Sequence, residues 1–494
     1  MTTHPNILQR LWAAITNRYE AGQRFTGGRS YIPSIVQDAR FDADKATRQE
    51  IVRKSRYFEK NSGLANRLAD LFEQYTTGAT GLVWNPASHE EPWNQAVKSW
   101  LDGWYPFADI SSRQSWGVLQ SLIARTWFFD GECFILKTRG QGIPAFPRVQ
   151  IIESHRVGTP PKLSAREGKD IVDGIEVDVL TGRPLAYWIA DTFDGENYRR
   201  VEAIHVVHVF EPSRPGQMRG LPLLYPVLND LHDLDDLQIL EMKAAKDAAE
   251  VSNVILTENG EDKLGARSVR QRFQITTQTS AGTDTTQDRT DLVRRALGGR
   301  TLALKVGEDI KQFRTERPSA ATNGYWDRLE TKICGGVGIP RGLVYAASLQ
   351  GTVARADYDV AATFFRSRSQ VLIDAFRDVY FYIIDAASKI ERTIADKPSD
   401  WTKVTMRPPR AVNVDVGRNA SAQVAGLAAG TETLENILSP MGIDWRDWVR
   451  QRIAEAEFIQ RESAGRVDPR IVAAHIAQGL GEPVSQQQQE PIAA

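Results

Sequence analysis

The chain has 494 residues, 41% of them hydrophobic and 25% charged, with 61 basic and 62 acidic side chains and a formal net charge of −1. That length exceeds one ordinary hydrophobic core and asks for roughly two to four domains, while the balanced charge excludes a protein that grips DNA over its whole surface through excess Lys and Arg. Two cysteines, Cys133 and Cys334, cannot build a disulfide framework or a cysteine-rich zinc site, which makes a reducing compartment the expectation; no apolar run reaches the roughly 18–20 residues of a membrane span, and Met1 to Pro5 lacks the pattern of a signal peptide.

Residues 1–44 read as an N-terminal arm with one short amphipathic piece from Ile7 to Tyr19. Helical periodicity runs over residues 43–78 and breaks at Asn61-Ser62-Gly63, with Ile51, Tyr57 and Phe58 before the break and Leu64, Leu68 and Leu71 after it. Residues 91–103 form a further helix carrying Trp93, Val97, Trp100 and Leu101 on one face. Trp116, Leu119, Leu122 and Ile123 predict another, closed by the turn pair Asp130-Gly131 before a short buried strand from Cys133 to Leu136. Strands then dominate: Val149 to Ile152, Ile175 to Leu180, Leu185 to Ile189 and Ile204 to Phe210, with Thr181-Gly182-Arg183-Pro184 as a hairpin turn. The class is α+β, mainly helical.

After the Pro/Gly-rich stretch from Glu211 to Pro222, Leu224, Leu228, Leu231, Leu234, Leu237, Leu240, Ala244 and Ala248 advance in threes and fours. They predict a helix of about 30 residues, about 45 Å long. Residues 257–318 change character, with short strand-like runs at Phe273 to Thr277 and Leu302 to Val306 and many arginines, among them Arg267, Arg270, Arg272, Arg289, Arg294 and Arg295. This reads as a small α/β insertion, and the helix pattern returns over residues 319–339. Pro340 ends that helix. Gly342 and Gly351 bracket a loop holding Arg341, Leu343, Tyr345, Ser348, Leu349 and Gln350, and together with Pro340 are expected to act as its hinges. A helix of about 55 Å follows, its apolar stripe including Phe364 and Phe376. Residues 393–419 are a connector with one strand-like run, Val412 to Val416. Residues 420–480 are helical again, and the glutamine-rich tail 481–494 has the composition of a disordered segment.

Sequence signatures of chemistry are few. No run matches G-x-x-x-x-G-K-[ST] or G-x-S-x-G, and Gly335-Gly336-Val337-Gly338 follows a helix rather than the strand a dinucleotide site requires. His205 and His208 are three apart in a strand and point to opposite faces, which favours packing over joint metal binding. Asp233, Asp235 and Asp236 could ligate a hard cation, though a solvated or intersubunit helix face is the plainer reading. The arginines of 257–318 interleave with Asp284, Asp288 and Asp291, a pattern suited to assembly contacts or, alternatively, to DNA or motor contacts.

Taken in order, these parts resemble the lambda-type family of tailed-phage portal proteins. The resemblance rests on Val209-Phe210-Glu211-Pro212 and Gly216-Gln217-Met218-Arg219-Gly220 ahead of the long helix, on Thr322-Asn323-Gly324-Tyr325 and Gly336-Val337-Gly338-Ile339-Pro340, and on Thr352-Val353-Ala354-Arg355-Ala356. Asn61-Ser62-Gly63-Leu64-Ala65-Asn66 and Phe129-Asp130-Gly131-Glu132-Cys133-Phe134 add to it. It implies a wing over residues 45–222, stem helices over 223–256 and 319–339, a clip over 257–318, a tunnel loop over 340–352, a spine helix over 353–392 and crown helices over 420–480. It implies further a dodecameric ring at a capsid vertex of the virion, around a non-specific passage for double-stranded DNA. Arg341, Leu343, Tyr345, Ser348, Leu349 and Gln350 would line that passage, and the arginines named above would dock or join subunits in the clip. The partners implied are the terminase large subunit, the major capsid protein and head-tail connector proteins; no cofactor, metal or membrane is implied, nor an enzymatic activity. Two rival expectations are a non-portal capsid adaptor or scaffold, and a metal-dependent nucleic-acid-processing enzyme built on Asp233, Asp235 and Asp236.

Overall fold

The computed structural model describes residues 43–140, 146–160, 169–191, 197–250, 320–345, 351–409, 425–438 and 445–462, together with Ala39, residues 422–423 and four short strands between residues 253 and 303. The predicted break at residues 61–63 is a double cap. Helix α1 (Lys45–Asn61) starts at Asp44, whose side chain accepts from Thr47 N, and ends where Ser62 N–H donates to Phe58 O at 2.9 Å. The Ser62 hydroxyl then accepts from Ala65 N and opens α2 (Gly63–Thr76). One extended residue thus satisfies orphan groups of both helices.

Strand β1 (Asn85–Pro86) and helix α3 (Glu91–Trp104) lead to α4 (Trp116–Asp130), which stops at Gly131. Gly131 is left-handed at φ 83, and its N–H closes on Trp127 O at 2.8 Å. A Cβ on Gly131 would lie 2.0 Å from the Leu221 carbonyl carbon, and one on Gly220 would lie 2.0 Å from the Gly131 oxygen. Two backbones therefore cross here with no room for a side chain.

Strand β2 (Glu132–Arg139) follows and is the seam of the body. It pairs antiparallel with β3 (Pro147–Ile152) on one side. A four-stranded antiparallel meander comes next in the chain: β4 (Lys169–Val172), β5 (Ile175–Asp178), β6 (Pro184–Ala190) and β7 (Tyr198–Glu202). Strand β8 (Val206–Phe210) then returns to pair with the other side of β2, placing Phe134 opposite His208 and Leu136 opposite Val206. Because side chains alternate along a strand, Cys133 and Ile135 enter the helical core, whereas Phe134 and Leu136 enter a second core with Ile175, Tyr187 and Ile189. Both faces of β2 are buried, which is why it reads as a continuous apolar run. The predicted hairpin turn is present, with Gly182 at φ 68 and the Asp178 carboxylate accepting from the Leu180 and Thr181 amides. Strands β4 and β7 were not predicted: they are short edge strands rich in Lys, Asp and Arg, and they carry no apolar run.

Helix α5 (Leu228–Glu250) has 23 residues and is shorter than expected, because a 3-10 turn at Tyr225–Val227 containing Pro226 precedes it. Strand β9 (Asn253–Ile255), just before the insertion, pairs in parallel with β12 (Thr301–Ala303) within it, and the hairpin β10 (Gln274–Gln278) with β11 (Asp284–Asp288) lies between them in the chain. Helix α6 (Ala320–Val337) packs on α5, and a helical turn α7 (Arg341–Val344) follows. Helix α8 (Gly351–Ser388), 38 residues long, is the spine of the body. Strand β13 (Val404–Thr405) pairs with β1; the expected strand over Val412 to Val416 lies outside the described residues. Helices α9 (Leu434–Leu438) and α10 (Trp445–Glu462) complete the chain as described.

The helical core is aromatic. Trp84 lies 5.1 Å from Trp116 and 5.8 Å from Tyr380, and Trp116 meets Phe376 edge-on at 5.2 Å. Trp104 joins the cluster and donates its indole N–H to Pro147 O at 2.8 Å, which ties the helices to β3. Of the two phenylalanines singled out on the predicted stripe, Phe376 is fully buried, while Phe364 is half-buried beneath the Arg368 guanidinium. Phe376→Ala is expected to lower the unfolding free energy by about 3–5 kcal/mol. Phe107→Ala, at a ring that is half exposed, should change it by no more than about 0.5 kcal/mol; chemical denaturation of the two variants checks the contrast.

Candidate functional site

The glycine-bracketed loop is built on the end of α6. Gly338 adopts φ 93, and both Gly338 N–H and Ile339 N–H return to Cys334 O at 3.0 Å. A Cβ there would meet the Phe364 ring at 2.6 Å, so glycine is required by backbone and by space. The left-handed hinge is thus Gly338. Gly342, expected to be a hinge, lies inside the turn α7, because Pro340 has the fixed φ that starts a helix and Leu343 and Val344 bury their side chains in the core.

Arg341 is held rather than free. Its Nε donates to Glu330 Oε2 at 3.0 Å, its Nη2 donates to Asp327 Oδ1 at 2.6 Å, and its guanidinium sits over the Tyr345 ring. The Tyr345 hydroxyl reaches the same Glu330 carboxylate. Arg341, Leu343 and Tyr345 therefore form the base of the loop, with Leu343 turned inward. Ser348, Leu349 and Gln350 lie outside the described residues, and Gly351 opens the spine helix. The insertion arginines Arg267, Arg270, Arg272, Arg289, Arg294 and Arg295 also lie outside the described residues.

The sequence reading missed how the α5 stripe divides. Leu228, Leu231 and Leu234 are buried against α6 and the body, but Ile239, Leu240 and Met242 are all more than half exposed, as is Tyr325 on α6. The two helices run together, joined by Lys332 Nζ to Asp230 at 2.7 Å and by a close approach of Gly336 to Val227. Beyond that seat they carry apolar side chains into solvent. The adjacent pair Ile239-Leu240 and the off-register Met242 were the signal, since one core-facing stripe cannot hold all three.

Candidate metal or catalytic groups separate. His205 is exposed on a 3-10 turn, while His208 is buried with its Nε2 3.0 Å from Glu132. Asp233 and Asp236 are exposed, Asp235 is half-buried, and Asp236 faces His232 at 3.2 Å. Among the described residues no group of three or more His, Cys, Asp or Glu side chains is placed to hold a metal ion. Burial pushes the Cys334 thiol up to about 11 and the Cys133 thiol well above its ordinary value, so neither is a ready nucleophile.

A family model for the phage portal protein, lambda family, matches residues 35–346. A probable portal protein of Halomonas phage phiHAP-1 is 24% identical over 208 residues, which span 39% of this chain and 40% of that relative. Among solved structures, a chain from the virion of a native gene transfer agent particle aligns over 89% of this chain and 99% of its own, at 14% identity and a TM-score of 0.42. A chain from the neck of an empty particle of that kind, computed with C6 symmetry, aligns over 80% and 94%, at 14% identity and a TM-score of 0.43.

The loop base makes a ranked prediction. Arg341 is partly exposed, so Arg341→Ala should cost about 1 kcal/mol or less. Gly338→Ala forces a strained left-handed residue against Phe364 and should cost about 1–3 kcal/mol. Urea unfolding of both variants gives the order, and an equal or reversed cost would rule out this account of the hinge.

Proposed function

The chain belongs to the lambda family of phage portal proteins, and we propose that it closes as a dodecameric ring around a passage for double-stranded DNA at one capsid vertex of the virion. The observation that carries this reading is the outer half of the α5–α6 pair. Ile239, Leu240, Met242 and Tyr325 stand more than half exposed on these two helices, uncovered by the described residues. Burying them against the next copy would remove apolar surface from water at about 25 cal/mol per Å². A contact between unlike faces of identical copies closes into a ring when its rotation permits.

Within that ring, α5 and α6 would form the stem, the insertion between them the clip, and residues 346–350 the innermost part of the tunnel loop. Arg341 and Tyr345 would brace the loop from its base through Glu330 and Asp327 on α6. The clip arginines would join subunits or dock the terminase large subunit during packaging and head-tail connector proteins afterwards, and the outer body would meet the major capsid protein. The passage would accept DNA without reading sequence. Energy for translocation would come from the terminase rather than from this chain.

Electron microscopy of the purified protein should show annular particles with an open centre; material that never closes into a ring would overturn the proposal. Leu240→Asp or Met242→Asp should shift native mass spectra from ring to monomer with the fold retained by circular dichroism. Deleting residues 346–350 should leave rings intact and reduce packaged or retained DNA. If the deleted chain no longer folds, the segment is structural and its assignment to the channel fails.

A further inference from the structure

A second cluster lies apart from the loop and from the exposed face of α5 and α6. Glu132, the first residue of β2, is fully buried and gathers donors from four other segments. Arg219 Nη2 lies 2.6 Å from Oε1 and Arg219 Nε 3.0 Å from Oε2; Arg48 Nη1 of α1 lies 3.3 Å from Oε1, and the Ser154 hydroxyl 2.7 Å from it. Gly220 N–H and His208 Nε2 share Oε2 at 2.9 and 3.0 Å. Asp173, in the turn between β4 and β5, receives Arg48 Nε at 2.7 Å and faces Arg219 Nη1 at 3.3 Å. Two carboxylates thus balance two guanidiniums; burial raises the Tyr187 phenol beside them further above neutrality, which leaves the imidazole as the group of this cluster with an ordinary value near neutral pH.

An ionised carboxylate only accepts, so His208 Nε2 carries a hydrogen and Nδ1 of the neutral ring does not. The ring is stacked between Phe134 and Phe210 at 4.3 and 4.2 Å, with Tyr187 edge-on. It also lines a groove of about 390 Å³ between β8 and the spine helix, where Asp374 and Asp378 stand, with Lys137 3.9 Å from Asp378. A proton from solvent can reach it through that groove. Burial, opposed by Glu132 and reinforced by Arg219 and Arg48, holds the His208 pKa below its ordinary 6.5.

We propose that His208 is an acid-sensitive latch on the joint between the sheet body and the segment 213–222 that leads into α5. With the ring neutral, Glu132 holds both Arg219 and Gly220 N–H. Uptake of one proton leaves an uncompensated positive charge in the cluster, and the imidazolium competes with Arg219 and Gly220 for Glu132. The unfolded or opened chain protonates His208 near 6.5, the closed joint only below that. Stability from the neutral ring is therefore complete above 6.5 and is lost as pH falls from 6.5 through the closed-state value.

Hydrogen exchange of the full chain, corrected for intrinsic rates, tests this over peptides covering residues 213–222. Between about pH 7.5 and pH 5.5 opening of that segment should rise, with about tenfold as the ceiling that linkage to a single proton sets over the pH unit below 6.5. His208→Gln, which keeps a donor toward Glu132, should abolish the rise, and His155→Gln, at an exposed pair with Glu153, should leave it in place. An unchanged rise in His208→Gln, or a flat native profile, overturns the latch. Should His208→Gln fail to fold, exchange at the His208 ring carbon of the native chain decides. A midpoint below 6.5 that coincides with segment opening supports the latch, and a midpoint at or above 6.5, or apart from the opening, overturns it.

Discussion

The structure depends on one carboxylate. Glu132 has no exposed surface, and an ion in that position is tolerable only because every lone-pair direction meets a donor. Arginine is the residue that can do this for several partners at once: Arg219 reaches both oxygens of Glu132 and the carbonyls of Val157 and Ser154 from one planar fork. The consequence is topological. Helix α1, strand β2, the β4–β5 turn, the turn after β3 and the segment before α5 are pinned to a single point. Removing one partner from such a buried pair typically costs about 3–5 kcal/mol, because the other charge is left uncompensated. The attraction itself contributes less than that figure suggests, so the cluster is better understood as fixing where segments meet than as adding stability.

From that point order spreads by contact. The crossing of Gly131 and Gly220 brings the segment before α5 directly against the start of β2, so the direction of the long helix is set by the sheet rather than by a free linker. β2 then feeds two cores from its two faces. One core is aromatic and helical, where Trp84, Trp104, Trp116, Phe376 and Tyr380 pack at centroid distances favourable for offset or edge-on rings. The other is a smaller layer between two small sheets, aliphatic apart from Phe134 and Tyr187. The first half of α5 belongs to this rigid body, and the second half leaves it.

What could be read in the sequence was what repeats locally. The break at Asn61-Ser62-Gly63, the turn at Asp130-Gly131, the buried run of β2, the hairpin at Thr181-Gly182 and the length of the spine helix each rest on a cap, a turn or a period of 3.6 or 2, and each appears in the fold. What could not be read was pairing across distance. Arg48 meets a carboxylate 84 positions away, and His208 meets the same one from 76 positions. Nothing in the local composition of either announces it. The sequence pattern puts His205 and His208 in one strand, but His205 falls on a 3-10 turn and the strand begins only at Val206, so their separation comes from that turn and not from strand alternation. At the loop, Arg341 was conspicuous between glycines, yet its ties to Glu330 and Asp327 arise from the turn at Gly338, which folds the segment back on α6. Pro340 was legible as the end of α6 but not as the start of another turn. The edge strands β4 and β7 failed the pattern test because solvent on one side removes the need for apolar residues.

Charge follows the same division between inside and outside. The chain carries 61 basic and 62 acidic residues, and its described arginines are repeatedly matched within the chain: Arg56 with Asp130, Arg125 with Asp70, Arg200 with Glu176, Arg341 with Asp327, Arg368 with Glu211 and Arg407 with Glu435. A guanidinium already paired with a carboxylate offers little to a phosphate, because binding DNA would first require breaking that pair. Over the described residues such pairing leaves a weak and balanced field, which in the proposed ring would suit passage of a duplex better than retention by surface charge. It also leaves apolar contact, at Ile239, Leu240, Met242 and Tyr325, as the term able to drive association of copies. Such contacts are non-directional, so in the proposed ring the angle between copies would be set by the seat of the two helices on the body. That seat is fixed through Gly220 and Arg219, which returns the geometry of any assembly to the carboxylate of Glu132.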